Sequence, residues 1–265
     1  MKKRYSYSII LLRELVRTDF KLRYQSSVLG YMWSLLRPLM LFTILYFIFV
    51  HFAGTIKGIH APAVYLLLGI VLWNYFVEVT SGSVAAIVSK GDLLRKINFP
   101  KYVVIVAGSF GALINLGLNA IVIGFFMFLN HVPLTAHALL IIPLVAELFI
   151  VALGAAFLLS ALFVKFRDVS YIWEIAMQAG FYLTPILYVI TILPVKVSKI
   201  LILNPLAQII QDARHALVTT NTQTIAQLYP GKPWVWAVPV GIVLAIAVVG
   251  GLYFRKRSKS FAEEV

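Results

Sequence analysis

The sequence has no cysteine and few charged residues, and each absence restricts what the protein can be. Charged residues make up 12% of its 265 residues and hydrophobic ones 61%, against about 25% and roughly 45–50% in soluble domains. At a mean hydropathy of +0.92, too little polar surface remains to cover a water-soluble globule, so lipid must surround most of the chain. Without cysteine there are no disulfides, thiolate metal sites or cysteine nucleophiles.

Acidic residues are especially scarce. Ten Asp and Glu accompany 23 Lys and Arg, which gives a formal net charge of +13. In a soluble protein this excess would suggest nucleic acid. In so apolar a chain it favours anionic lipid headgroups as the counter-charge, and we expect membrane lipids, not nucleic acid, as partners.

Motifs for catalysis are also missing. The sequence has no G-x-x-x-x-G-K-[ST] loop, so this chain cannot hydrolyse ATP by that route. His131 and His137 have neither a carboxylate nor a third histidine beside them, which argues against a metal site. Of the carboxylates in apolar segments only Glu147 is deep, and one carboxylate makes a poor proton relay. We predict no catalytic residue, no metal and no cofactor bound by this chain.

Six segments are apolar and long enough to cross a membrane, given that a charge at bilayer depth costs about 2.5–3.5 kcal/mol and that about 20 apolar residues span the core. Residues 102–146 carry no charge and exceed one crossing, so we expect them to turn back at 130–133. Pro185 is expected to kink the fifth span. The predicted spans are 34–52, 63–83, two within 102–164, 169–192 and 234–254.

Basic residues orient these spans. Eighteen of them fall on the side of the two termini and five on the other side, so the positive-inside rule places both termini in the cytoplasm. Charges interrupt the apolar pattern near the N-terminus, and we expect no cleaved signal peptide. The predicted fold is an all-α polytopic membrane protein with six transmembrane helices in a single domain, residues 1–265.

Residues 1–30 are predicted to form an amphipathic helix at the membrane interface. Apolar residues recur at spacings of three and four, at Ile9, Leu12, Val16, Phe20 and Tyr24. A basic row lies on another face, at Arg13, Arg17 and Lys21. This combination is typical of helices that lie in the headgroup region. A solvated helix packed on another protein is the alternative.

The cytoplasmic loop at 84–101 contains a short helix according to its capping signals. Gly91 can end the preceding helix, Asp92 is a good N-cap, and Pro100 disfavours helix at the residue before it. A helix this short is unstable alone in water, so its apolar residues need a docking partner or the membrane surface. An ordinary basic loop on the headgroups is the alternative.

Residues 194–233 differ from a plain connector. They break at Asn204-Pro205 and then show a helical pattern too short and polar to cross, through Ile209, Ile210, Ala213 and Leu217. We predict short re-entrant or interfacial gate helices on the outer face, as found where a pathway opens.

Span three carries a stripe of small and amide residues. We predict that this stripe packs against another helix, through Gly108, Gly111, Ala112, Asn115 and Asn119.

Several stretches, in order along the chain, resemble the membrane subunit of ABC-2 type exporters for surface polysaccharides (O antigen and capsule) and teichoic acids. They are LRYQSSVLGYMWSLLRPL at 22–39, KGDLLRKINFP at 90–100, KFRDV at 165–169, TPILY at 184–188 and NPLAQIIQDAR at 204–214. The resemblance implies a multi-pass permease of the bacterial cytoplasmic (inner) membrane that exports an undecaprenyl-type lipid-linked polymer. It also implies that a separate ATPase holds ATP and magnesium.

The same resemblance implies partners and site residues. The chain is expected to assemble with a second copy of itself and with two copies of a cytoplasmic ABC ATPase. A coupling helix would dock on the ATPase through Asp92, Leu93, Leu94, Arg95, Lys96 and Ile97. In the family the N-terminal helix borders the substrate entrance, and our own hypothesis is that the basic row, Arg13, Arg17 and Lys21, meets the lipid pyrophosphate there.

Aromatic residues on spans one and five suggest a smooth wall on which sugars stack. The predicted translocation path contains Phe42, Tyr46, Phe49, Phe181, Tyr182 and Tyr188. Packing or lipid-facing roles are the alternative. The nearest other function is an ABC-2 exporter of a drug or small lipid, followed by an ATP-independent secondary transporter. The choice among O antigen, capsule and teichoic acid stays open at this point.

Overall fold

The computed structural model describes residues 10–18, 30–52, 54, 56, 59–91 and 99–261, and within these ranges it is helical without strands. The seven longest helices are α1 (Trp33–Tyr46), α2 (Pro62–Val84), α3 (Tyr102–Leu129), α4 (Ile141–Lys165), α5 (Val169–Leu183), α6 (Pro205–Leu217) and α7 (Ala237–Arg257). Shorter helical elements are Gly30–Met32, Phe47–Phe52, Ala86–Ser89, Ala136–Leu140, Ile190–Ile192, Val195–Leu201, Ile225–Leu228 and Pro233–Trp236. Residues 10–18 are also helical.

Helix α2 lies at the centre of the molecule. It packs against α1, α3, α4, α5 and α6. Of the residues in its most apolar 18-residue stretch, 83% are buried. Pro62 starts the helix, where a missing N–H costs nothing. A helix that is apolar on all sides is expected to be surrounded by other helices, and α2 fits this rule.

Helices α3 and α4 form the predicted hairpin. Helix α3 ends at Leu129, and His131 adopts a left-handed conformation with φ of 52°. The chain then passes through Ala136–Leu140 into α4. The turn at 130–133 is therefore confirmed, since a charge-free segment longer than the membrane must reverse.

Helices α4 and α7 pack at very short distance because glycines face each other. A Cβ atom added to Gly154 would lie 2.6 Å from the Cα atom of Ala247. A Cβ atom added to Gly250 would overlap the carbonyl oxygen of Gly154. Such small-residue contacts let backbones approach closely in membrane proteins, where lipid contributes no hydrophobic force between helices.

Five helices are long and apolar enough to cross a membrane, within the part of the chain that the structure describes. They are Trp33–Val50, Pro62–Val84, Tyr102–Leu129, Ala136–Lys165 and Pro233–Arg257. They correspond to five of the six predicted spans.

The remaining predicted span, 169–192, is not one kinked helix. Helix α5 has 15 residues and ends at Leu183, two residues before Pro185. Its length is therefore about 22 Å, against about 30 Å of hydrocarbon. Thr184 is extended with ψ of 140° because the residue before a proline avoids the helical region. The expectation of a continuous helix through Pro185 is corrected on this point.

The segment between α5 and α7 has its own small core. Ile190, Ile202, Ile225, Leu228 and Val235 are buried together, apart from the main core. The short helices predicted here are present, and α6 begins at Pro205 with Asn204 as its cap: Asn204 Oδ1 accepts from the Leu206 N–H at 3.0 Å.

The contact between α4 and α7 supplies a first prediction. Gly250→Ala should lower the apparent melting temperature of the purified protein in detergent by roughly 3–10 °C, because overpacking costs about 1–3 kcal/mol. The matched control is Gly251→Ala, since a Cβ atom there meets nothing within 4 Å. Equal melting temperatures for the two variants would contradict the close approach described above.

Candidate functional site

The N-terminal segment is helical and amphipathic over residues 10–18. Leu11, Leu12 and Leu15 are half-buried against the main core, while Arg13 and Arg17 are exposed. The third residue of the predicted basic row, Lys21, lies outside the described residues. The two described arginines are four residues apart on a helix, so they share a face and present two cations away from the protein core.

The predicted coupling residues, 92–97, lie outside the described residues. The chain is fixed on both sides of them. Gly91 and Phe99 are buried, and the Lys101 ammonium donates to the Ser258 carbonyl at 2.6 Å. The same ammonium lies 5.5 Å from the ring centroid of Phe261, which is 1% exposed. The C-terminal tail therefore packs beneath the end of the predicted coupling loop.

A cleft of about 280 Å³ opens between the C-terminal part of α2 and the N-terminal part of α3. Its polar lining contains one carboxylate, one ammonium and two hydroxyls, from Glu78, Lys90, Ser83 and Ser89. Gly82 and Gly108 add open wall on the two helices. The cleft lies next to the predicted coupling residues because Lys90 is two residues before Asp92.

Amide side chains of α3 connect it to both neighbouring helices. Asn115 Nδ2 donates to Glu78 Oε1 at 2.7 Å. Asn119 Nδ2 donates to the Ser34 carbonyl at 3.4 Å and to the Asn115 carbonyl at 2.8 Å. The packing role predicted for this stripe holds for these two residues and for the buried Ala112, whereas Gly108 and Gly111 face open space.

The three aromatic residues predicted on span one differ in burial, although the rings of Phe42 and Tyr46 lie 5.5 Å apart. Phe42 is 5% exposed and packs edge-to-face on Phe126 of α3, with ring centroids 5.4 Å apart. Tyr46 and Phe49 are half-buried. The outward face of this span consists instead of Met40, Ile44 and Phe47, each more than half exposed.

Helix α5 rests on α2 along one edge. Trp173 Nε1 donates to Thr80 Oγ1 at 3.2 Å, and the Phe181 ring lies 6.2 Å from that of Trp73. No residue of α5 is fully buried. Its outward apolar face is about two-thirds exposed, at Tyr171, Ile172, Ile175, Tyr182 and Leu183.

The aromatic residues predicted on span five therefore have different surroundings. Phe181 is half-buried against α2, and Tyr182 is 67% exposed. Tyr188 lies beyond the end of α5, and its hydroxyl donates to the Leu183 carbonyl at 2.8 Å. The structure thus does not bring the six predicted path residues onto one wall within a single chain.

Arg214 is the residue of this region that the sequence did not single out. It is fully buried, and its Nε donates to the Tyr65 carbonyl at 3.0 Å. Its Nη2 donates to the Ile186 carbonyl at 2.8 Å, and its Nη1 to the Pro185 carbonyl. The guanidinium also lies 3.6 Å from the centroid of the Tyr65 ring. Burial lowers the pKa of Arg214, which Tyr65 opposes, but an arginine stays protonated in proteins.

Arg214 joins three parts of the chain. It lies on α6, and its acceptors belong to α2 and to the residues that follow the end of α5. Those residues have left the helix, so their carbonyls need other donors. Gly69 makes room for the guanidinium, because a Cβ atom there would lie 2.6 Å from Nη2.

Comparison with known proteins shows similarity over the whole length. The sequence pattern of the ABC-2 type transporter family matches residues 10–218. Two Klebsiella pneumoniae proteins, both named O-antigen export system permease protein RfbA, are 31% and 30% identical to this chain over 268 residues. Both alignments cover 99% of this chain and 98% of the relative. A Myxococcus xanthus protein of the same name is 26% identical over 276 residues, which cover 100% of this chain and 98% of the relative.

We predict that Arg214→Gln destabilises the protein strongly. A glutamine amide cannot reach all three carbonyls, and each buried acceptor left unpaired costs about 1–3 kcal/mol. The melting temperature in detergent should fall by roughly 3–10 °C, and by less in Arg214→Lys, which keeps the charge without the planar fork. Arg255→Gln is the control, because Arg255 is exposed on α7. A Lys variant as stable as the wild type would show that the fork geometry is unimportant.

Proposed function

Because the chain belongs to the ABC-2 type transporter family, we propose that it is the transmembrane subunit of an ATP-driven exporter of lipid-linked O-antigen polysaccharide. The observation that carries this proposal is the end-to-end similarity to proteins named as O-antigen export permeases. Those names favour O antigen over capsule, teichoic acid, a drug or a small lipid. The protein is a multi-pass protein of the bacterial inner membrane, with five apolar helices of spanning length among its described residues.

The proposed topology has six crossings with both termini in the cytoplasm. Helix α5 and the residues up to Ile192 would make the fifth crossing, with extended backbone that protein shields from lipid. Helix α6 packs against Ala136–Leu140, so two of the three connections assigned to the outer side lie at the same end of the molecule. The contact between Lys101 and Ser258 at the other end agrees with a cytoplasmic tail.

Two copies of the chain would enclose the path. Helices α1 and α5 support this because both flank α2 and both expose apolar residues. In the spanning stretch that contains α1, Trp33–Val50, only 6% of the residues are buried, against 83% in the most apolar stretch of α2. Contact between the α1 faces and part of the α5 faces of two copies would bury apolar surface, with Tyr182 outside this contact and beside the polymer. A ring-lined wall of this kind lets sugars stack and slide without tight binding.

Energy would come from a separate ATPase in two copies, which hold the ATP and magnesium. The predicted coupling residues Asp92–Ile97 would dock on it between two anchored points, Gly91 and Phe99. Lys101 links the loop to the chain segment that follows α7. A displacement of the loop by the ATPase would therefore move both α3 and α7. Rigid helix ends transmit such a push better than a loose loop.

The function is tested by complementation in a bacterium that lacks its own O-antigen permease. Surface O antigen should return when this chain is produced together with its ATPase, and should stay absent when the ATPase carries a substitution that prevents ATP hydrolysis. Cells that make only the chain are the control. Export without ATP hydrolysis would contradict the proposal, and export of a drug or lipid with no surface O antigen would overturn the proposed cargo.

The substrate entrance is tested at the basic row. Arg13 and Arg17 are exposed, so neutralising them together with Lys21 should cost little stability. Replacing all three by Gln should reduce surface O antigen by at least about tenfold, since each lost contact to a charged group is worth about 1.5–3 kcal/mol. The matched control replaces three exposed cations of the tail, Arg255, Lys256 and Lys259. Unchanged export in the first variant would remove this site.

A further inference from the structure

A buried polar cluster lies where α6 crosses α4. It consists of Glu147 on α4 and of Gln208 and Asp212, one turn apart on α6. Gln208 is fully buried and Asp212 is 8% exposed. The Gln208 Nε2 atom donates to Asp212 Oδ2 at 2.5 Å, and the Gln208 side chain also lies beside the Glu147 carboxyl group. One amide therefore lies between two carboxyl groups from different helices.

The cluster has too many acceptors for its donors. Three of its buried atoms have no partner, namely Glu147 Oε1, Gln208 Oε1 and Asp212 Oδ1, and all three are oxygens. The amide of Gln208 offers only two N–H groups. Buried acceptors without donors are costly, and two adjacent negative charges without a cation, one of them buried and the other half-buried, are more so. A proton on one carboxyl oxygen would remove one charge and turn an acceptor into a donor.

The surroundings supply no compensating cation among the described residues. Helix α2 contributes Tyr65, whose hydroxyl donates to Gln211 Oε1 at 3.5 Å. The Ala136–Leu140 segment contributes His137, which is exposed. Helix α7 has no titratable residue between Ala237 and Leu252.

Helix α6 itself carries two further titratable groups. The Arg214 guanidinium donates to backbone carbonyls on the α2 side. His215 Nδ1 lies 3.3 Å from the Thr222 carbonyl. Gln211 Nε2 is a buried donor without a partner, and its side chain is directed to Tyr65.

We propose that the cluster of Glu147, Gln208 and Asp212 keeps one proton on one of its two carboxyl groups, and that this proton fixes α6 against α4. Burial, opposed by the hydrogen bond from Gln208 and reinforced by the charge of Glu147, raises the pKa of Asp212 to about 7. The same helix carries Arg214, which holds the residues after α5. Loss of the proton therefore weakens the contact that positions the end of α5, and the outer part of the molecule becomes sensitive to pH.

The sign of the pH effect follows from the raised pKa. An unfolded Asp releases its proton at about pH 3.9, whereas the folded protein retains it to about pH 7. The stabilisation is thus complete below about pH 4 and declines as the pH rises to about 7, above which it stays constant. Other groups titrate in the same interval, so the measurement compares variants.

The experiment measures the melting temperature of the full chain in detergent between about pH 5 and about pH 8. The wild type should lose more stability over this interval than Asp212→Asn, because the amide is neutral at both pH values and also supplies a donor. Glu147→Gln should likewise reduce the pH dependence. Glu174→Gln is the control, because Glu174 is exposed on α5, and it should keep the wild-type dependence.

Infrared spectroscopy gives an independent readout if one variant folds poorly. The wild type at about pH 6 should show the carbonyl stretch of a protonated carboxyl group, and Asp212→Asn should lose it. Equal pH dependence in the wild type and both variants would overturn the proposal. Stabilisation by sodium over choline that needs both carboxylates would also overturn it, in favour of a metal cation. Neither measurement involves cargo or ATPase, so failure here leaves the proposed function untouched.

Discussion

Backbone carbonyls that leave a helix inside an apolar molecule must find a donor, and in this protein one buried guanidinium meets that requirement. Helix α5 stops at Leu183, and the carbonyls of Pro185 and Ile186 are taken up by Arg214 together with that of Tyr65. Helix α6 cannot leave its place without exposing three acceptors, so α2, the end of α5 and α6 behave as one unit.

The molecule contains a tight part and a loose part. Helices α2, α4 and α7 pack closely, with backbone contact between Gly154 and Gly250. Helices α1 and α5 touch the rest along one edge and expose broad apolar faces. An exporter needs a rigid body to carry force and a wall that can separate. The packing of these helices fits both requirements. Helix α5 is attached to the rigid part through Trp173, and the residues after it are attached through Arg214.

The sequence predicted much of the fold but less of the site. Span lengths, the hairpin at 130–133 and the start of α6 at Asn204-Pro205 follow from local rules on charge, length and capping. The end of α5 at Leu183 could not be predicted, because Pro185 is compatible with a kink as well as with the end of a helix. Which of the two occurs depends on the hydrogen-bond donors that the folded chain brings to the free carbonyls. From the sequence, Arg214 was only one more basic residue of an outer connection. Its burial depends on Gly69 and Tyr65, which lie more than 140 residues away in the sequence.

Composition alone determined that this chain is a helical membrane protein that crosses the bilayer several times. Charges and unpaired backbone groups cost too much free energy in the hydrocarbon core for any other arrangement of so apolar a chain. Tertiary structure decided which residues of each helix face inward. It turned Phe42 towards α3, left Tyr182 exposed, and brought Glu147 beside Asp212. These choices depend on contacts between distant segments, and spacing within one segment does not encode them.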